Sequence, residues 1–227
     1  MHSPIIFPVN ILVNMGIPEF VAFSWVAVLI IIVLAVLAKS SLKMVPSGVQ
    51  NLVEVIIEFF LDIAESTIGH QGRHFLPFIA TIGIYILVCN LLGLLPGGDA
   101  PTSNLNTNVA LALPVFFATH IYGIKAHKFA YIKHFVGPIR SLPAIPLMIL
   151  MFIIELIGHL ARPLTLSVRL FGNMVAKHKI ILIFLLLAPW VVPTAILCLG
   201  VLVSVIQAYV FVLLTSLYLA GAVEEAH

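Results

Sequence analysis

Residues 180–223 run for 44 positions without one Asp, Glu, Lys or Arg. A bilayer is the solvent that such a stretch suits, since about 20 apolar residues in a helix cross about 30 Å of hydrocarbon. Three more uncharged stretches, 20–38, 74–98 and 100–124, each hold one crossing. Ala188-Pro189-Trp190-Val191-Val192-Pro193 breaks the longest stretch into the end of one helix and the whole of the next. The pattern predicts membrane helices over 20–38, 74–95, 107–125, 141–187 and 193–222. Hydrocarbon leaves unpaired backbone groups unsatisfied, so the expected fold is an all-α polytopic membrane protein in a single membrane domain. Composition agrees: 62% of the residues are hydrophobic and 9% charged, against about half and about 25% in soluble domains. Two cysteines cannot make a disulfide scaffold. A net charge of +2, spread along the chain, does not suggest nucleic-acid binding. A signal peptide is the competing reading of 20–38. No basic segment precedes it and no small-residue cleavage site follows, so the mature protein is expected to keep it.

Basic residues orient the chain. Lys39, Lys43, Arg73, Lys125, Lys128, Lys133 and Arg140 all fall in segments of one side, and 1–19, 96–107 and 188–193 hold no Lys or Arg. The N-terminus and the 96–107 loop are expected outside, the basic segments and the C-terminus in the cytoplasm. Ala126–Val136 reads as an interfacial stretch on that cytoplasmic side. Residues 46–68 differ. Gln50, Glu54, Glu58, Asp62 and Glu65 share one helical face, and Val49, Val53, Ile56, Ile57, Phe60 and Ile63 share the other. That predicts one amphipathic interfacial helix, opened by a capping box from Ser47 to Gln50. Its acidic face either meets a basic partner or is solvated.

The region 141–187 would extend about 70 Å as one helix, so it either breaks or tilts steeply, and Pro163 is where it would kink. Its polar residues Glu155, His159, Arg162, Thr165, Arg169, Asn173 and Lys177 recur at steps of three and four, in a stripe about 120° wide. An intramembrane charge costs at least about 2.5–3.5 kcal/mol, so these groups must face protein or water. Glu155 pairing with His159 or Arg162 in a structural network is one reading. Arg169 lies about 21 Å along the helix from Glu155, too far to pair, and no other acid stands near it in sequence. Its carboxylate is expected from another chain.

Arg169-Leu170-Phe171-Gly172-Asn173-Met174 resembles the signature of subunit a of F-type ATP synthases. Arg162-Pro163-Leu164-Thr165-Leu166, Asn90-Leu91-Leu92-Gly93-Leu94-Leu95-Pro96, Pro101-Thr102-Ser103 with Asn106-Thr107-Asn108, and Gln207-Ala208-Tyr209-Val210-Phe211 extend the likeness over essentially the whole chain. The resemblance implies an ion-translocating, most simply proton-translocating, stator subunit of the bacterial inner membrane. It would stand beside a ring of c subunits, each with an intramembrane carboxylate, and near the peripheral-stalk b subunits. It implies that the last two helices are long and form a tilted hairpin, that Arg169 faces the ring carboxylates, and that two offset half-channels serve them. Glu155 would line the cytoplasmic half-channel; Asn173, His178 and Gln207 would line or border the outward one, and Asn90 matches a polar position of the proton pathway that the family keeps on the preceding span. His178 suits proton relay, or is an interfacial histidine bonded for structure. Gln207 is a channel residue, an interhelical bond, or both.

Two positions depart from the family pattern. Lys177 stands where a small residue is usual, so it would repel cations or snorkel outward. Gly200 stands where some members carry a partner for the residue at 178. Cys89 and Cys198 are expected to be packing residues. No metal set and no phosphate-binding loop is present in the sequence, so no cofactor and no catalytic site of its own are expected. A stand-alone secondary transporter is the alternative, which would call for internal repeats and an acid close to Arg169.

Overall fold

The computed structural model describes residues 7–40, 42–95, 98–127, 145–187 and 191–223. Those residues are almost wholly helical, with no strand among them. In chain order the helices are α1 (Phe7–Asn14), α2 (Glu19–Ser40), α3 (Val49–Ile68), α4 (Gly72–Leu92), α5 (Leu105–His127), α6 (Ile145–Leu187) and α7 (Val191–Val223). Short 3₁₀ turns at Gly69–Gln71 and Pro101–Ser103 join α3 to α4 and α4 to α5. Five stretches are long and apolar enough to cross a membrane: Glu19–Ser40, Val49–Leu92, Leu105–His127, Met148–Ile181 and Ala195–Val223. The chain is a multi-pass, all-α membrane protein.

Helices α2, α4 and α5 lie over the uncharged stretches 20–38, 74–98 and 100–124. Residues 128–136 of the interfacial stretch, 141–144 of the fourth span and 188–190 of the helix break lie outside the described residues, as do Glu224 and Glu225. Helix α6 runs unbroken through Pro163 for 43 residues, about 65 Å at 1.5 Å per residue. A straight helix of that length fits about 30 Å of hydrocarbon only if it tilts steeply or projects beyond it.

Helix α3 does not open with a capping box. Its N-cap is Gly48, at φ +62°, and no side chain caps the first turn. The Gln50 amide is occupied elsewhere: it accepts from Lys43 N and donates to Lys43 O, both at 3.0 Å, and donates to Glu54 at 2.8 Å. That pulls Gln50 off the polar face and buries it. Glu54, Glu58, Asp62 and Glu65 remain exposed, and Glu65 meets Arg73 at 3.6 Å in an exposed pair. The opposite face packs on protein: Phe60, Ile63 and Ala64 meet Phe75 and Ile79 of α4 and Val212 and Leu219 of α7.

Two further layers position the long hairpin. Ile82 and Ile86 of α4, Ala112 and Val115 of α5, Leu166 and Leu170 of α6, and Ala208 and Phe211 of α7 form one buried cluster. Ala27 of α2 joins Cys89 and Leu92 of α4 in another. Cys89 is a packing residue, whereas Cys198 is exposed on α7. Helices α6 and α7 therefore lean on α4 and α5 along one side only. Leu156, Ile157, Leu160, Leu164 and Val168 of α6 and Leu199, Leu202, Val205 and Ile206 of α7 are exposed, an apolar surface suited to lipid or another membrane chain.

Candidate functional site

The polar stripe of α6 splits into edges with different surroundings. At 100° per residue His159 and Lys177 share one edge, and Arg169 lies about 80° away on the other. The buried side of α6, marked by Leu166, Leu170 and Met174, falls next to the first edge. His159 and Lys177 are accordingly buried, while Thr165, Arg169 and Asn173 are exposed and Glu155 and Arg162 half-buried. The stripe thus straddles the rim of the protein contact instead of facing one cavity.

At one end of α6, Glu155 Oε1 lies 3.2 Å from His159 Nε2. The His159 ring meets His120 of α5 edge-on, centroids 5.1 Å apart. The Arg162 guanidinium sits over the ring of Tyr218 of α7, 5.2 Å from its centroid. Glu155 therefore pairs with the histidine and Arg162 with an aromatic face. Thr165 donates to the Arg162 carbonyl of its own helix at 3.0 Å.

Toward the other end Lys177 turns inward. Its ammonium donates to the Asn90 carbonyl and to Ser204 Oγ, each at 3.4 Å. The snorkelling expectation is thereby corrected. A Cβ at Gly200 would stand 2.6 Å from Leu94 Cδ2 and 3.4 Å from Lys177 Cδ, so the glycine makes room for Leu94 and packs beside the lysine stem. Asn90 accepts from Thr102 at 2.8 Å, and Asn108 donates to the Thr102 carbonyl at 2.8 Å. Ser204 donates to the Gly200 carbonyl at 2.7 Å. Asn90 Nδ2 and Asn108 Oδ1 are buried and make no hydrogen bond among the described residues. With no partner at 200, His178 lies 3.3 Å from the Gly93 carbonyl, to which Nε2–H donates. Asn173 donates to Gln207 across the hairpin at 2.5 Å, four residues from Arg169.

Between these polar ends lies the apolar layer of Leu166, Leu170 and Met174 with Ile86, Ala208 and Phe211, all buried. Arg169 stands beside that layer on the open face, about 15 Å along the helix from His159 and about 12 Å from Lys177. It makes no hydrogen bond or ion pair among the described residues. Nothing among the described residues neutralises it, and exposed Thr165 and Asn173 flank it one turn away on α6.

The sequence residues thus assemble into three sets. Asn90 and Lys177 come together, with His178 on the neighbouring Gly93; Asn173 joins Gln207; Glu155 joins His159. Four participants were not anticipated: His120, Tyr218 and Ser204 in the spans, and Thr102 in the 101–103 turn as a bonding group. A lone histidine in an otherwise apolar span is the signal that marks His120. Serine and threonine carry no such signal, because they commonly bond their own helix backbone.

A family model described as the ATP synthase A chain matches residues 21–220. The chain is 49% identical to the ATP synthase subunit a of Trichlorobacter lovleyi, over 91% of this chain and 88% of that one. It is 48% identical to the ATP synthase subunit a of Geobacter sulfurreducens, over 92% and 89% of the two chains. With the Geotalea daltonii ATP synthase subunit a it shares 45% identity over 96% and 95%.

Proposed function

The chain belongs to the ATP synthase A chain family, and on that premise we propose that it is the proton-translocating stator subunit of a rotary F-type ATP synthase. The observation that carries this reading is the placement of Arg169: a permanent cation on an open apolar face, unpaired, midway between two polar clusters that an apolar layer separates. Such a cation needs a carboxylate, and a ring of c subunits carrying intramembrane carboxylates supplies one.

The residues then divide the work. Arg169 stays charged at every relevant pH and holds a passing ring carboxylate ionised. Its proton leaves by the inward group, Glu155 with His159. A new proton arrives through the outward group: His178, Lys177 and Asn90, then Asn173 and Gln207 beside the ring. The free Asn90 Nδ2–H and Asn108 Oδ1 give entering water a donor and an acceptor. Leu166, Leu170 and Met174 keep the two routes apart, so a proton crosses only by riding the ring. Each crossing releases about 2.3 kcal/mol per 100 mV, which the offset of the routes turns into rotation. The basic segments and the C-terminus face the cytoplasm of a bacterial inner membrane, and α3 lies at that interface near the b subunits.

Reconstitution tests this reading against a stand-alone transporter. Liposomes holding the complete synthase built on this chain are expected to make ATP from an imposed proton gradient. Liposomes holding the chain alone are expected to move no protons above the lipid background. Gradient-driven transport by the chain alone would overturn it.

A further inference from the structure

We infer that His159 and His120 form, with Glu155, a proton relay along the inward route. The inference rests on the translocation reading above and concerns how a proton gets from the ring face to Glu155. Glu155 alone does not cover that distance, because it lies about 21 Å along α6 from Arg169. His159 lies one turn closer, 3.2 Å from the carboxylate. His120 reaches it from α5, with ring centroids 5.1 Å apart and planes at 66°, a separation that direct contact or a single water spans.

A cavity of about 10 Å³ adjoins His120, lined also by Thr119, Arg162, Leu166 and Tyr218 among others, which is room for about one water. Leu166 stands one turn short of Arg169, so this cavity extends from His120 toward the ring-facing charge. The tautomer of His120 is set by its own helix: Nδ1 lies 2.8 Å from the Phe116 carbonyl, so Nδ1 holds its proton and the Nε2 lone pair is the acceptor.

The groups facing the pair come from every neighbouring helix: Glu155 and Arg162 on α6, His120 on α5 and Tyr218 on α7. One proton entering the cavity binds His120 Nε2. It passes to His159 and then to the Glu155 carboxylate, which releases it to the cytoplasmic side. Each step moves one proton and no electrons.

The test uses vesicles with the assembled synthase carrying His159→Gln or His120→Gln, which keep size and hydrogen bonding but carry no excess proton. Immunoblots establish equal assembly, and passive conduction through the membrane sector is followed across cytoplasmic-side pH. Each variant is expected to lose conduction by about 100-fold, the lower end for a positioned proton-transfer group. Each should also change the pH dependence of conduction relative to wild type. Wild-type conduction, or a loss with an unchanged pH profile, would mean the rings only pack the helices and overturns the relay. Arg169→Ala run in parallel separates the two readings. If it keeps coupled synthesis, the translocation reading fails and the relay falls with it. If it loses synthesis while both glutamine variants conduct normally, only the relay is overturned.

Discussion

Arg169→Ala is expected to abolish ATP synthesis driven by a proton gradient while passive proton conduction continues. The two effects have one cause. A guanidinium about 4 Å from a carboxylate contributes about 4 kcal/mol of attraction at an effective dielectric of about 20. That attraction strips the proton from each ring carboxylate before it crosses to the other route. With alanine the carboxylate passes still protonated, so protons cross without enforcing direction or torque. The substitution should leave the chain's own fold intact, because Arg169 is exposed and makes no hydrogen bond or ion pair among the described residues. Measured in vesicles at matched assembly, synthesis should fall to background and conduction should stay at or above the wild-type rate. Lysine is not expected to restore synthesis, since an ammonium is a more strongly hydrated point charge without the planar fork that grips a carboxylate.

Leu170→Asn is expected to uncouple the machine by a different route. Leu170 is fully buried, in the layer that separates the inward and outward groups. An amide there lacks partners and costs about 1–3 kcal/mol, so it recruits water from the polar groups on either side. Protons then cross through this chain without the ring. ATP hydrolysis should persist, ATP-driven acidification should collapse, and a leak should remain after the ring carboxylates are covalently blocked. Leu170→Met conserves volume, costs under about 1.5 kcal/mol, and should not leak. Tight coupling in the asparagine variant would remove the apolar layer from the mechanism.

Much of this was legible in the sequence, for physical reasons that also explain what was not. Uncharged runs report hydrocarbon length directly, and α2, α4 and α5 lie over them. The three- and four-residue steps of the α6 polar residues report a helical face directly. They cannot report which edge of that face meets protein. That depends on α4 and α5, and it separates buried His159 and Lys177 from exposed Arg169. The inward turn of Lys177 depends on the Asn90 carbonyl and Ser204, both far along the chain, to receive its ammonium. Gln50 fits a capping box locally and loses to the Lys43 backbone, a contact that periodicity does not encode. Asn173 with Gln207, 34 residues apart, was expected near one route only through the family resemblance. His120 was passed over because one histidine in an apolar span has no pattern around it, and its meaning comes from His159 on another helix.

Arg169 is central because the proposed function sets it against the ring, and that contact is the most direct thing to measure. In a chain with Cys89 and Cys198 replaced, Gly172→Cys and Ile206→Cys place thiols on that face. A Cβ at Gly172 meets nothing within 4 Å, and Ile206 is 49% exposed. Ile32→Cys, 54% exposed on α2, serves as the lipid-facing control. Oxidation is expected to link positions 172 and 206, and not 32, to a cysteine placed one turn from the intramembrane carboxylate of the c subunit. Links from position 32 alone, or from none of the three in an assembled complex, would contradict the placement of Arg169 against the ring.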